Sequence, residues 1–158
     1  MKKKLIFVLT GLLALQSVSA EPMWIWKKGK INTEKAQFKK SFSLKSVPKK
    51  ALIRATCDNE MTLVINGKKV EKSNAWEKPI SLNVAKYLKK GTNQIVVHAF
   101  NEGNMAGFVF DLKLKGQEIS SDKSWQARNP EDKSWTQAVE LKKYGAAPWG
   151  KVFDKKSK

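Results

Sequence analysis

The sequence has 158 residues, and its 31 Lys and Arg residues outnumber 14 Asp and Glu residues to give a formal net charge of +17 at pH 7. A single cysteine, Cys57, excludes an intramolecular disulfide, and a single histidine, His98, excludes a histidine-rich metal centre. So positive a balance favours encounter with acidic partners such as anionic polysaccharide, while lysines scattered through every segment also read as a solvated basic surface.

Residues 1–20 read as a secretory signal. Lys2, Lys3 and Lys4 form a basic head, LIFVLTGLLAL an apolar core, and Ser17-Val18-Ser19-Ala20 a small-residue cleavage site before Glu21. The core is shorter than the roughly 20 residues that span a bilayer, no later apolar run replaces it, and no cysteine marks a lipid anchor. The expectation is a secreted or periplasmic protein with no membrane span and no nucleic-acid partner. Removing the leader's three lysines lowers the net charge from +17 to +14 and leaves 138 residues, a length that suits one domain with one core. Residues 21–150 form that domain in this reading, and residues 151–158 a basic extension.

The remaining chain has the rhythm of an all-β protein. Trp24 to Trp26 opens as a short strand. Ala36, Phe38, Phe42 and Leu44 then alternate with Gln37, Lys39, Ser41 and Ser43, which predicts a strand with one buried face that ends before Pro48. In ALIRATC, Ala51, Ile53, Ala55 and Cys57 share one face, making Cys57 a small buried hydrophobe. MTLVI runs into Asn66-Gly67, a dipeptide that tolerates positive φ and predicts a two-residue hairpin turn. Asn83 to Leu88 fits one helical turn capped by Asn83 and ended by Gly91. Gln94 to Phe100 is apolar on both faces, as a central strand covered on both sides would be. In AGFVFDLKLK, Phe108, Phe110, Leu112 and Leu114 face the core and Val109, Asp111, Lys113 and Lys115 face water. A short strand over Glu118 to Ser120 follows, then Trp125 and Trp135 in two DKSW segments. Short strands at this spacing indicate a two-sheet antiparallel β-sandwich.

The order of these motifs, from WIW and FKKSFSL through ALIRATCDNEMTLVINGKKV, Trp76 before Pro79, LNVAKYLKKGTNQIVVHAFNEG and AGFVFDLKL to SDKSW and YGAAPWG, resembles the galactose-binding-like jelly-roll domains. Such domains accompany secreted glycoside hydrolases, among them the sugar-binding domain of family 2 glycosidases and the N-terminal sandwich of α-L-rhamnosidases. The resemblance implies a jelly roll over nearly the whole exported chain and an accessory role, because in those enzymes the catalytic carboxylates lie in a separate barrel. This sequence departs from the pattern after Asp58, where the usual aromatic is replaced by Asn59, Glu60 and Met61.

No nucleophile elbow, phosphate loop, HExxH or CxxC motif occurs. Asp58, Glu60, Glu102 and Asp111 are available carboxylates, but nothing in their spacing sets two of them across a glycosidic bond. The reading is therefore not an enzyme, with no cofactor and no metal site, since no loop has a recognisable calcium spacing. Carbohydrate binding needs an aromatic platform beside groups that exchange hydrogen bonds with hydroxyls. The loops offer Asp58, Asn59, Trp76, Asn101, Glu102 and Asn104. Trp76, in the polar stretch SNAWEKP, is the candidate platform, whereas Trp24, Trp26, Trp125, Trp135 and Trp149 seal the core and chain ends. Two functions stand: a noncatalytic carbohydrate-binding module, for an acidic polysaccharide if the charge is used and working beside a separate glycoside hydrolase, or an extracytoplasmic protein-interaction or structural module with no sugar ligand.

Overall fold

The computed structural model describes residues 21–29, 32 and 34–154. The expected leader, Met1 to Ala20, and the last four residues of the expected basic extension lie outside them. The strands are β1 (Met23–Trp26), β2 (Glu34–Leu44), β3 (Leu52–Asp58), β4 (Glu60–Ile65), β5 (Lys68–Ser73), β6 (Ile80–Asn83), β7 (Gly91–Asn101), β8 (Gly107–Leu114), β9 (Gln117–Ser120), β10 (Gln126–Arg128), β11 (Thr136–Gln137) and β12 (Val139–Lys143). They form two antiparallel sheets. One has the order β12, β1, β8, β3, β6, with β9 also paired to β8, and the other the order β11, β10, β2, β7, β4, β5.

Alternation explains the sandwich. Ile53, Ala55 and Cys57 of β3 and Phe108, Phe110 and Leu112 of β8 are fully buried against Met61, Leu63 and Ile65 of β4 and Ile95 and Val97 of β7. Aromatic rings run through this core from Trp26 to Phe38 at 5.4 Å, Phe38 to Phe108 at 4.9 Å and Phe108 to Trp125 at 5.4 Å. Burial pushes the Cys57 thiol well above its ordinary pKa, so it packs as an inert apolar group.

Two expectations are corrected. β7 is central in its sheet, flanked by β2 and β4, yet Gln94 and His98 on its outer face are exposed, so it is covered on one side only. Conversely, the face of β8 expected to be wet is buried at Val109 and Asp111. A second apolar layer of Trp24, Val109, Trp149 and Val152 covers it, with Trp76, Tyr144 and Phe153 packed around the edge. Asp111 is held there by Arg54, whose guanidinium also lies 4.9 Å from the Phe153 ring centre.

The register gives the sandwich two distinct ends. Glu34 lies opposite Asn101 and Asp58 opposite Gly107 at one end, while Leu44 meets Gly91 and Leu52 meets Lys113 at the other. At that second end the expected hairpin forms, with Asn66 at φ 51° and Gly67 at φ 78°, the pair of positive values that a type I′ turn requires. The helical turn is Ala85–Tyr87, and Asn83 Oδ1 accepts hydrogen bonds from the backbone N–H of Ala85 at 3.1 Å and of Ala51 at 3.0 Å. Buried Asn93 ties the two turns together. Its Oδ1 accepts from Asn66 Nδ2 at 2.8 Å and Lys89 N at 2.9 Å, and its Nδ2 donates to the carbonyls of Lys89 at 2.7 Å and Gly91 at 3.0 Å. Asn93→Ala strips these partners inside the fold and is expected to lower stability by about 2–4 kcal/mol, read as a lower urea midpoint with an unchanged m-value.

Candidate functional site

The first end of the sandwich gathers the polar loop residues. β3 delivers Asp58 to the surface, and the chain turns at once through Asn59 into β4, placing this corner beside the loop that leaves β7. Asn59 fastens the two: its backbone N–H donates to the Phe100 carbonyl at 2.9 Å, and its side-chain Oδ1 accepts from the Glu102 backbone N–H at 2.7 Å. Glu102 is exposed.

Asp58 is positioned from the far end of the chain. Its Oδ2 accepts a hydrogen bond from the Trp149 indole N–H at 2.9 Å. Trp149 in turn stacks on Trp24, ring centres 4.1 Å apart and planes 21° off parallel. The close approach requires Gly107, because a Cβ there would lie 2.8 Å from Trp24 and 2.9 Å from Trp149. Burial pushes the Asp58 carboxyl above its ordinary range; the Trp149 bond opposes this, and the charges of Glu77 and Glu102 add to it.

Trp76 is half-buried beside this layer, packed against the Trp24 and Trp149 cluster. Its loop is anchored by the Thr56 hydroxyl, which donates to the Trp76 carbonyl at 2.9 Å. Asp58, Asn59, Glu102 and Trp76 thus belong to one end of the fold. The other two candidates have different tasks. Asn101 is wholly buried and its Nδ2 donates to the Asn32 carbonyl at 2.8 Å, so its side chain fastens the loop from inside. Asn104 is exposed at φ 63° after Gly103 at φ 137°, which marks a turn position. Of the remaining carboxylates, Glu60 pairs with Lys72 at 3.0 Å and Asp111 with Arg54. Sequence reasoning missed Glu77 and the tie from Trp149, which joins residues 91 positions apart. No local pattern announces such a tie.

The sandwich superposes on the crystal structure of an α-L-rhamnosidase from Streptomyces avermitilis complexed with L-rhamnose, with a TM-score of 0.72 and 25% identity over 83% of this chain and 15% of that one. The fold is a galactose-binding-like jelly roll. By sequence, the jelly roll is 27% identical over 124 residues to an α-L-rhamnosidase of the same organism, a match spanning 65% of this chain and 12% of the enzyme. A lectin from Pleurotus ostreatus, solved in apo form and in complex with GalNAc, shares the jelly roll at a TM-score of 0.70 and 20% identity, over 82% of this chain and 44% of the lectin. A rhamnosidase from Bacillus sp. GL1 shares it at a TM-score of 0.71 and 20% identity, over 83% and 19% of the two chains. No protein-family profile matches the sequence. Among the described residues, no group of three or more His, Cys, Asp or Glu side chains is arranged to hold a metal ion, and no helix is long and apolar enough to cross a membrane.

A carboxyl raised above its unfolded value contributes stability below the unfolded pKa, and that contribution disappears as pH climbs through the folded value. Asp58 is such a group. Asp58→Asn keeps an oxygen to accept the Trp149 bond and cannot ionise, so relative to the parent its stability is expected to rise between about pH 4 and pH 7. Paired denaturant titrations at the two pH values check this; a pH-independent difference would show that Asp58 does not carry the raised carboxyl.

Proposed function

We propose that the chain is a noncatalytic carbohydrate-binding module, exported beyond the inner membrane, that recognises a glycan through the end of the jelly roll bearing Asp58, Asn59, Trp76 and Glu102. The observation that carries this reading is one end of the fold where the Asn59–Glu102 bond brings the loops of Asp58 and Glu102 together and the half-buried Trp76 packs in the layer of Trp149, the residue that bonds Asp58. A sugar presents hydroxyls along its edge and C–H groups on its face. Asp58 and Glu102 accept from the hydroxyls, Asn59 and the loop backbone add donors, and Trp76 offers a ring for the apolar face. Asn101 and Asn104 shape the loop on which Glu102 sits.

The matches to a glycosidase and a lectin support the sugar class, and the small share of the rhamnosidase that is matched supports a role beside catalysis rather than in it. A separate glycoside hydrolase acting on the same glycan is the partner this reading supplies.

Isothermal titration with L-rhamnose and N-acetylgalactosamine, followed by a glycan array at low and high salt, tests the proposal. Binding of a neutral sugar should survive high salt, because stacking and short-range hydrogen bonds to an uncharged ligand involve no ion pair for salt to screen. Trp76→Ala should weaken it about tenfold or more, equivalent to roughly 1.4 kcal/mol, while Trp76→Phe retains most of it. Binding unchanged in Trp76→Ala removes the ring from the site. No neutral-sugar binding at any salt overturns the reading in favour of a protein-interaction module.

A further inference from the structure

The opposite end of the jelly roll holds a feature that the sugar site does not use. The loop between β2 and β3 and the hairpin between β8 and β9 enclose a groove of about 950 Å³. Lys45, Lys49 and Lys50 line it from the loop, and Lys113 and Lys115 from the hairpin. The strand ends beneath contribute Leu44, Leu52 and Leu114.

The charge in this groove is largely uncompensated. Lys113 lies 3.7 Å from Glu118 and 3.9 Å from Asp111, the long end of ion-pair range. Lys45, Lys49, Lys50 and Lys115 are exposed and have no carboxylate within ion-pair distance among the described residues. Ammonium groups facing one concavity raise the local potential and concentrate anions there. The arrangement differs from lysines dispersed over a convex surface, where water and salt screen each charge separately.

Shape and lining select the ligand. A volume of about 950 Å³ lies at the upper end of small-ligand sites, roughly 300–1,000 Å³, and accommodates several linked rings rather than one small anion. A flat bilayer would ask for several protruding apolar side chains, but Val47 is the only large hydrophobic residue of the groove that is exposed, at 52%. An acidic polysaccharide has both required surfaces, an anionic group on each repeat and C–H faces between them.

We infer that this groove binds a strand of anionic polysaccharide, its carboxylate or sulfate groups held by the ammonium groups of Lys45, Lys49, Lys50 and Lys115 and its ring faces set over the leucines. The inference does not depend on the sugar site at the Asp58 end, and the two fail separately.

The test uses the chain expressed with its own leader and purified after export. Binding to polygalacturonate is measured by titration, with dextran as the neutral control and vesicles containing phosphatidylserine as the alternative anionic surface. Polygalacturonate should bind and dextran should not compete for the groove. Affinity should fall steeply from about 0.1 M to about 1 M salt, as the Debye length shrinks from about 10 Å to about 3 Å. The triple reversal Lys45→Glu, Lys49→Glu, Lys50→Glu should weaken binding at least tenfold, and Lys113→Gln with Lys115→Gln should weaken it from the other wall. Reversal of the exposed lysines Lys133, Lys142 and Lys143, outside the groove, should change it less than threefold. Equal losses in the groove and control reversals would overturn the inference in favour of diffuse charge. So would binding to the vesicles but not to polygalacturonate, or binding to neither.

Discussion

The stack of Trp149 on Trp24 is the contact on which the candidate site depends. Three residues far apart in sequence make it possible: Trp24 on β1, Gly107 at the start of β8, whose missing side chain leaves room for both indoles, and Trp149 near the chain end. Once seated, Trp149 donates its N–H to Asp58 and orients that carboxyl. The same layer buries Val109 and Val152 and receives Trp76 at its margin. A packing event on the outer face of one sheet thereby fixes the geometry of a polar corner. The groups proposed to meet a ligand are thus held by the groups that seal the fold.

Much of the fold was legible because its signals are local. Period-two alternation marked β2, β3 and β8, and the Asn-Gly pair marked the hairpin with its two positive φ values. The Asn83 side chain accepting from the Ala85 N–H also follows from neighbours in sequence, but the helical turn stops at Leu88, where the backbone is already extended, and Gly91 opens β7 instead of ending the turn. What was missed is what long-range packing decides. Val109 and Thr56 alternate as outward residues should, yet they are buried, Val109 because Trp149 and Val152 of the C-terminal segment pack with it and Thr56 where it bonds the Trp76 loop. Likewise His98 sits in an apolar run but faces outward, where its Nδ1 lies 3.1 Å from Gln37 Nε2. Of the six candidate residues, the structure brings Asp58, Asn59, Trp76 and Glu102 to one end of the sandwich. Asn101 has the right composition for a binding loop, but only the register, which sets it opposite Glu34, shows its side chain turned inward.

The two ends of the sandwich differ in charge as well as in shape. Glu77 and Glu102 lie close enough to Asp58 at one end to help raise its carboxyl, while the lysines of the β2–β3 loop and the β8–β9 hairpin surround the groove at the other. Ammonium groups facing one concavity draw anions to that end.

The edge of the second sheet carries a further consequence. Among the described residues β5 closes that sheet with no strand beyond it, and such an edge exposes unpaired backbone groups that can recruit a strand from another molecule. Its sequence, KKVEKS, places Lys68, Lys69 and Lys72 along that border, and all three are exposed. A second copy pairing along this border would have to bring further ammonium groups close to Lys68 and Lys69, which have no carboxylate within ion-pair distance among the described residues. Part of the chain's basicity thus lies where an edge would otherwise invite a partner strand.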